Sequence, residues 1–252
     1  MAERASGSKY VPGTYAQPRP SAPEMANRYI REWDEKHRET KIKEAQAVEY
    51  PPTICISRKL GSGAVEIADL VAEKIGYRVV DQQILQHIAT NASLSEKTVA
   101  LFDERYRGKI SELVTLAFGE KAFIKSDYAK HLFSSVYAIA ALGPTIFVGR
   151  GVHLLLSREK VLAVRIISSD QFRVQRLVSL MNISKEESAK QISELDRLQA
   201  AFFKEVFNKK DASPYEFDIV INCDYIKEPR SVAEIILTAF RRKFGLPETG
   251  GR

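Results

Sequence analysis

From Pro51 and Pro52 onward, short runs rich in β-branched residues alternate with longer stretches of helical pattern. That alternation constrains the fold more than any other feature. Parallel strands need crossover connections, and helices in the crossovers cover both faces of the sheet. The strand candidates are residues 53–57, 77–80, 145–148, 161–167 and 218–222. Helical pattern fills 64–75, about 82–142, 171–181, 185–207 and 231–244. The expected architecture is a three-layer α/β domain on a five-stranded parallel sheet. Its two longest helical stretches exceed what a crossover needs and read as insertions beside the sheet edge.

Ahead of the prolines the chain changes character. Residues 1–24 carry Pro12, Pro18, Pro20 and Pro23 among Gly, Ser and Ala, too little apolar surface to offset the entropy of ordering, so a disordered tail is expected. In residues 25–48, Met25, Tyr29 and Trp33 recur at four-residue steps among helix formers. This predicts an amphipathic arm packed on its own domain or on a second subunit, the latter giving a homodimer through the N-terminal helix. The domain proper is expected over 49–246, with a helical substrate region at 81–143, a lid at 182–215 and a flexible C-terminus at 247–252.

Composition removes several functions. Hydrophobic residues make up 44% of the 252 and charged ones 28%, enough to bury a core. No apolar run reaches the ~20 residues of a membrane span, and the first residues lack the apolar stretch of a secretory signal. Two cysteines far apart and four scattered histidines exclude disulfide scaffolds and common zinc patterns, so no metal site is expected from side-chain spacing. With no signal, no span and unpaired cysteines, a cytoplasmic location is expected. The net charge of +6 attracts anions, yet Lys and Arg spread along the chain without a stripe or a nucleic-acid-binding signature, which disfavours a nucleic-acid partner.

In an open parallel sheet, ligands bind beyond the carboxyl ends of the strands. Arg58, Lys59, Gly61, Ser62 and Gly63 follow the first strand, Asp81 the second and Arg150 the third, between Gly149 and Gly151. A strand, a glycine turn and a helix start can aim backbone N–H groups at phosphate. The Walker pattern also asks for a lysine and a hydroxyl, where this chain has Ala64 and Val65. The turn is therefore either a modified phosphate loop, with Arg58 or Lys59 supplying charge, or a tight structural turn.

The segments SRKLGSGAVEIADLVAEKIGYRVVD, FVGRG, DQFRVQRL, ELDRLQAAFFKEVF and YEFDIVINCD, in this order, resemble the cytidylate kinase-like family, relatives of the P-loop nucleoside monophosphate kinases. The resemblance covers about 52–244. It implies a nucleoside monophosphate kinase fold with an inserted substrate region and a mobile lid, moving the terminal phosphoryl group of ATP, with Mg2+, to a nucleoside monophosphate. By resemblance, Arg58, Lys59, Gly61, Ser62 and Gly63 would hold the donor phosphates, and Asp81 and Arg150 the acceptor. Arg173, Arg176, Asp196 and Arg197 would serve the transferring group. Asp81 at a helix start is equally a cap, and the alternative for Arg173 and Arg176 is a solvated helix face. Family members typically read G-S-G-G-R-E-I-A in the loop; Ala64 and Val65 depart from this, and Leu198 and Gln199 stand where more arginine is usual. These departures favour the alternative of a nucleotide-binding sensor with weak or no turnover.

Overall fold

The computed structural model describes residues 20–39, 50–90, 127–209 and 212–247. Five strands, β1 (Thr53–Arg58), β2 (Arg78–Asp81), β3 (Thr145–Val148), β4 (Val161–Ile167) and β5 (Ile219–Asn222), pair entirely in parallel in the order β2-β3-β1-β4-β5. Helices α1 (Ala22–Glu39), α2 (Ala64–Ile75), α3 (Gln82–Thr90), α4 (Asp127–Leu142), α5 (Asp170–Met181), α6 (Lys185–Phe207) and α7 (Pro229–Phe244) surround it. This is the three-layer, five-stranded parallel architecture expected from the alternation. Of the long helical region expected from Gln82 to Leu142, the described parts are α3 and α4.

Side-chain alternation along the central strand divides the core in two. Ile54 and Ile56 face α2 and α7 with Leu162, Val164 and Ile221. Cys55, between them in sequence, faces the opposite layer, where it joins Phe147, Ala163, α3, α4 and the aromatic end of α6. Cys223 lies in the first of these layers, so the two buried thiols sit on opposite sides of the sheet. The three central strands β3, β1 and β4 are buried on both faces, which is why they read in sequence as nearly unbroken apolar runs.

The N-terminal arm begins at Ala22, ahead of the expected Met25. The Ser21 hydroxyl accepts from the Glu24 amide at 3.4 Å while the Glu24 carboxylate accepts from the Ser21 amide at 2.7 Å, a capping box. Ala26 and Tyr29 are buried against the chain's own α3 and α4 layer, and Arg78 lies over the Tyr29 ring and pairs with Glu32 at 2.9 Å. The face carrying Ala26 and Tyr29 is thus covered by its own domain. Residues 1–19 of the expected tail, the end of the arm, the middle of the substrate region and residues 248–252 lie outside the described residues.

β1 lies between β3 and β4: the chain first turns to the β2-β3 side and later returns to β4 on the other. The carboxyl end of β1 is therefore the place where a parallel sheet leaves a crevice.

Candidate functional site

The loop after β1 is shaped by its glycines. Gly63 has φ 83° and ψ 8°, a left-handed conformation at the cap of α2, and a Cβ there would press the Arg176 guanidinium at 3.2 Å. A Cβ on Gly61 would come within 3.0 Å of Leu177 Cδ1. Helix α5 therefore packs directly on the loop backbone. Ser62 is buried, and its hydroxyl has no hydrogen-bond partner, an orphan polar atom inside an N–H-rich turn. Ala64 and Val65, which stand at the Walker lysine and hydroxyl positions, are 1% and 2% exposed and packed into the α2 core.

Arg173 is fully buried. Its guanidinium donates to the Leu60 carbonyl at 3.2 Å, to both Asp196 oxygens at 2.9 and 2.7 Å, and to Asp170 at 2.5 Å. Burial alone would favour the neutral form, but the two carboxylates outweigh it and hold Arg173 more strongly protonated than an ordinary arginine. The hydrogen bond from Arg173 in turn lowers Asp170, with Lys59 adding a smaller push. Arg176 pairs with Glu66 on α2. Both arginines expected to face the transferring group are thus engaged by carboxylates, and Arg173 ties the loop to α6. Arg197, the neighbour of Asp196, is exposed. Asp81 is buried and caps α3, its Oδ1 accepting from the Gln83 and Ile84 amides at 2.9 and 3.1 Å.

A cleft of about 360 Å³ opens at the carboxyl ends of β1 and β3, roofed by α6. Arg58, Gln82, Gln86, Arg150 and Gln199 line it with Leu195, Leu198, Phe202 and Phe203. Arg58 is 4% exposed, its guanidinium packed on the Gly149 backbone. It donates to Gln82 at 2.9 Å and to Gln199 at 3.4 Å, and Gln199 donates back to the Arg58 carbonyl at 3.2 Å. Arg150, at φ 54°, donates to Gln86 at 2.5 Å and lies 4.3 Å over the Phe202 ring. Its Nε is buried without a partner. Burial lowers the Arg150 pKa; nearby Tyr128 pushes it back up and Arg58 pushes it further down. Among the described residues the cleft has no Asp or Glu in its lining, and no carboxylate pairs with either arginine. Two cations held only by neutral amides and an aromatic face make a place for an anion.

The sequence singled out Arg58 and Arg150 for separate sites; the structure brings them into one. Gln82 and Gln86 were not singled out, although their i, i+4 spacing directly after β2 puts them on one helix face at the strand ends. Phe202 was read as helix packing, and it also faces the cleft.

Residues 53–225 match the model of the cytidylate kinase-like family. The chain belongs to this family. No curated protein matches it. Among solved structures it is similar to an uncharacterized protein from Eubacterium ventriosum, 17% identical, with a TM-score of 0.57 over 75% of this chain and 98% of that one, a likeness of fold. Weaker matches are a shikimate kinase from Bacteroides thetaiotaomicron, 14% identical over 77% of this chain and 98% of that one (TM-score 0.38), and a gluconokinase from Sinorhizobium meliloti, 11% identical over 77% and 94% (TM-score 0.41). In this cytidylate kinase-like chain the loop departures Ala64 and Val65 are core residues, so a cation cannot reach the loop from either position without leaving apolar packing. Among the described residues there is no cluster of three or more His, Cys, Asp or Glu able to hold a metal, and no helix is long and apolar enough to cross a membrane.

Proposed function

We propose that this chain is a phosphotransferase of the nucleoside monophosphate kinase type, moving the terminal phosphoryl group of ATP to a nucleoside monophosphate or similar anionic acceptor. The observation that carries the reading is a cleft lined by buried Arg58 and half-buried Arg150, with no carboxylate among its described lining residues, beside a glycine loop at the sheet's switch point. The orphan Ser62 hydroxyl and the close-packed Gly61 and Gly63 fit donor phosphates at the loop, with Lys59 next to it. ATP, when bound, supplies the transferable phosphoryl group. Arg58 and Arg150 would hold anionic oxygens, and α6 would exclude water above them. Arg173, with Asp196 and Asp170, would keep the loop and the lid helix in fixed relation, and Arg176 would brace α2. Asp81 would act by fixing the start of α3 and with it Gln82 and Gln86. Arg197 would add charge only from the outer side of α6. The described residues do not fit a protein-held Mg2+, since Asp170 and Asp196 serve Arg173, Glu66 serves Arg176 and Asp81 caps α3.

The buried Ala64 and Val65 favour a second reading, a sensor that binds nucleotide without turnover. The two are separated by titrating ATP calorimetrically and then measuring ADP release over a panel of nucleoside monophosphates. The phosphotransferase reading expects release stimulated by at least one acceptor and a loss of about 100-fold in kcat/KM for Arg150→Ala. ATP binding with no stimulated release by any acceptor would replace it with the sensor.

A further inference from the structure

Cleft charge and geometry carry the assignment one step beyond this reading, on which it rests. We propose that Arg58 and Arg150 form a single two-arginine subsite for a dianionic phosphomonoester group of the acceptor, oriented by Gln82 and Gln86. Arg58 thereby belongs to the acceptor and not to the donor phosphates.

Position supports the assignment first. Although Arg58 precedes the phosphate loop in sequence, its guanidinium turns toward β3, where it packs on Gly149, the residue before Arg150. The loop side of the same strand end is occupied by Arg173, which reaches the Leu60 carbonyl. Charge supports it next. Among the described residues both guanidinium groups meet only neutral acceptors, Gln82 and Gln199 for Arg58 and Gln86 for Arg150, whereas Arg173 and Arg176 have carboxylates. Two desolvated positive charges facing one cavity are costly until a group of two negative charges enters, and a phosphomonoester carries nearly that charge at neutral pH. Geometry then supplies the fork: Gln82 and Gln86, one helical turn apart on α3, each hold one guanidinium, so their planes are set before the anion arrives.

The test uses the full chain and methyl phosphate as probe. Arginine side-chain N–H resonances are followed by nuclear magnetic resonance, and ATP affinity is measured separately by calorimetry. The subsite expects methyl phosphate to shift both Arg58 and Arg150 signals. Its affinity should rise about tenfold or more between roughly pH 5 and pH 7.5, as the second proton leaves near about pH 6. Arg58→Gln should weaken methyl phosphate about tenfold or more and leave ATP within twofold. Gln82→Leu, which keeps both charges, should weaken methyl phosphate several-fold and serves if Arg58→Gln does not fold. If Arg58→Gln or Gln82→Leu weakens ATP and spares methyl phosphate, or if methyl phosphate leaves the wild-type signals unmoved, the subsite is wrong. The phosphotransferase reading fails separately, by absent ATP binding or absent turnover, and methyl phosphate binding would then still support the subsite.

Discussion

Gly151 shows how little freedom some single positions have. It sits at φ 68° after Arg150, and a Cβ there would fall 2.6 Å from Phe207 Cε2 and 2.7 Å from Cζ. Gly151→Ala combines backbone strain with a clash against a buried ring, and a loss of about 2 kcal/mol is expected in urea unfolding. Arg173 is constrained by charge instead of space. Arg173→Met is expected to cost about 3 kcal/mol, because it strands Asp196 beside a buried apolar site, and the double substitution with Asp196→Asn should recover part of that loss. At this scale the sequence was legible in identity and illegible in partnership. Arg58, Arg150, Arg173 and Arg176 all stood out as cations at strand ends, but apart from the local Asp170 their carboxylate partners are the distant Asp196 and Glu66. Those residues are 23 and 110 positions away from Arg173 and Arg176, respectively.

Secondary elements were the most readable level. The β-branched runs located all five strands to within a residue or two, the three central strands being buried on both faces, and Ser169 and Ser184 mark the starts of α5 and α6, their hydroxyls accepting from Phe172 and Glu187 amides at 3.2 and 3.1 Å. The arm α1 was readable as amphipathic, yet what its stripe packs against was not, since a stripe names no partner. Its covering role gives a measurable expectation. Tyr29→Ala removes a buried ring against α3 and α4 along with the contact from Arg78, and about 3 kcal/mol of stability should disappear in denaturant titration. Helix α6 touches both cleft cations through Gln199 and Phe202. A ligand at the cleft must therefore replace those contacts.

For the whole molecule, a buried histidine makes stability depend on pH. His153 is buried, its ring 4.6 Å from Phe217 and its Nε2 3.4 Å from Glu216, which also pairs with Lys209. Burial pushes its pKa from 6.5 down to about 4; Glu216 opposes the shift and the Arg158 and Arg165 charges add to it. The unfolded chain therefore takes up a proton near pH 6.5 that the folded chain refuses until about 4, so stability falls with decreasing pH across that window and levels off below it. Glu216, held below its ordinary range despite burial, loses stabilising charge in the same direction at lower pH. The expected loss from His153 is about 3 kcal/mol, and His153→Phe should flatten the slope in pH-dependent thermal unfolding.

The placement of the two cysteines makes this protein its own reporter of opening. Cys55 is sealed on one side of the central strand and Cys223 on the other side of the sheet, past the end of edge strand β5, and burial raises both thiols above their ordinary range. A thiol-specific reagent can label either one only after its own layer parts. Labelling followed residue by residue by mass spectrometry would time the two layers separately. Loosening of the edge would trap Cys223 first, and a fully cooperative opening would trap both at one rate.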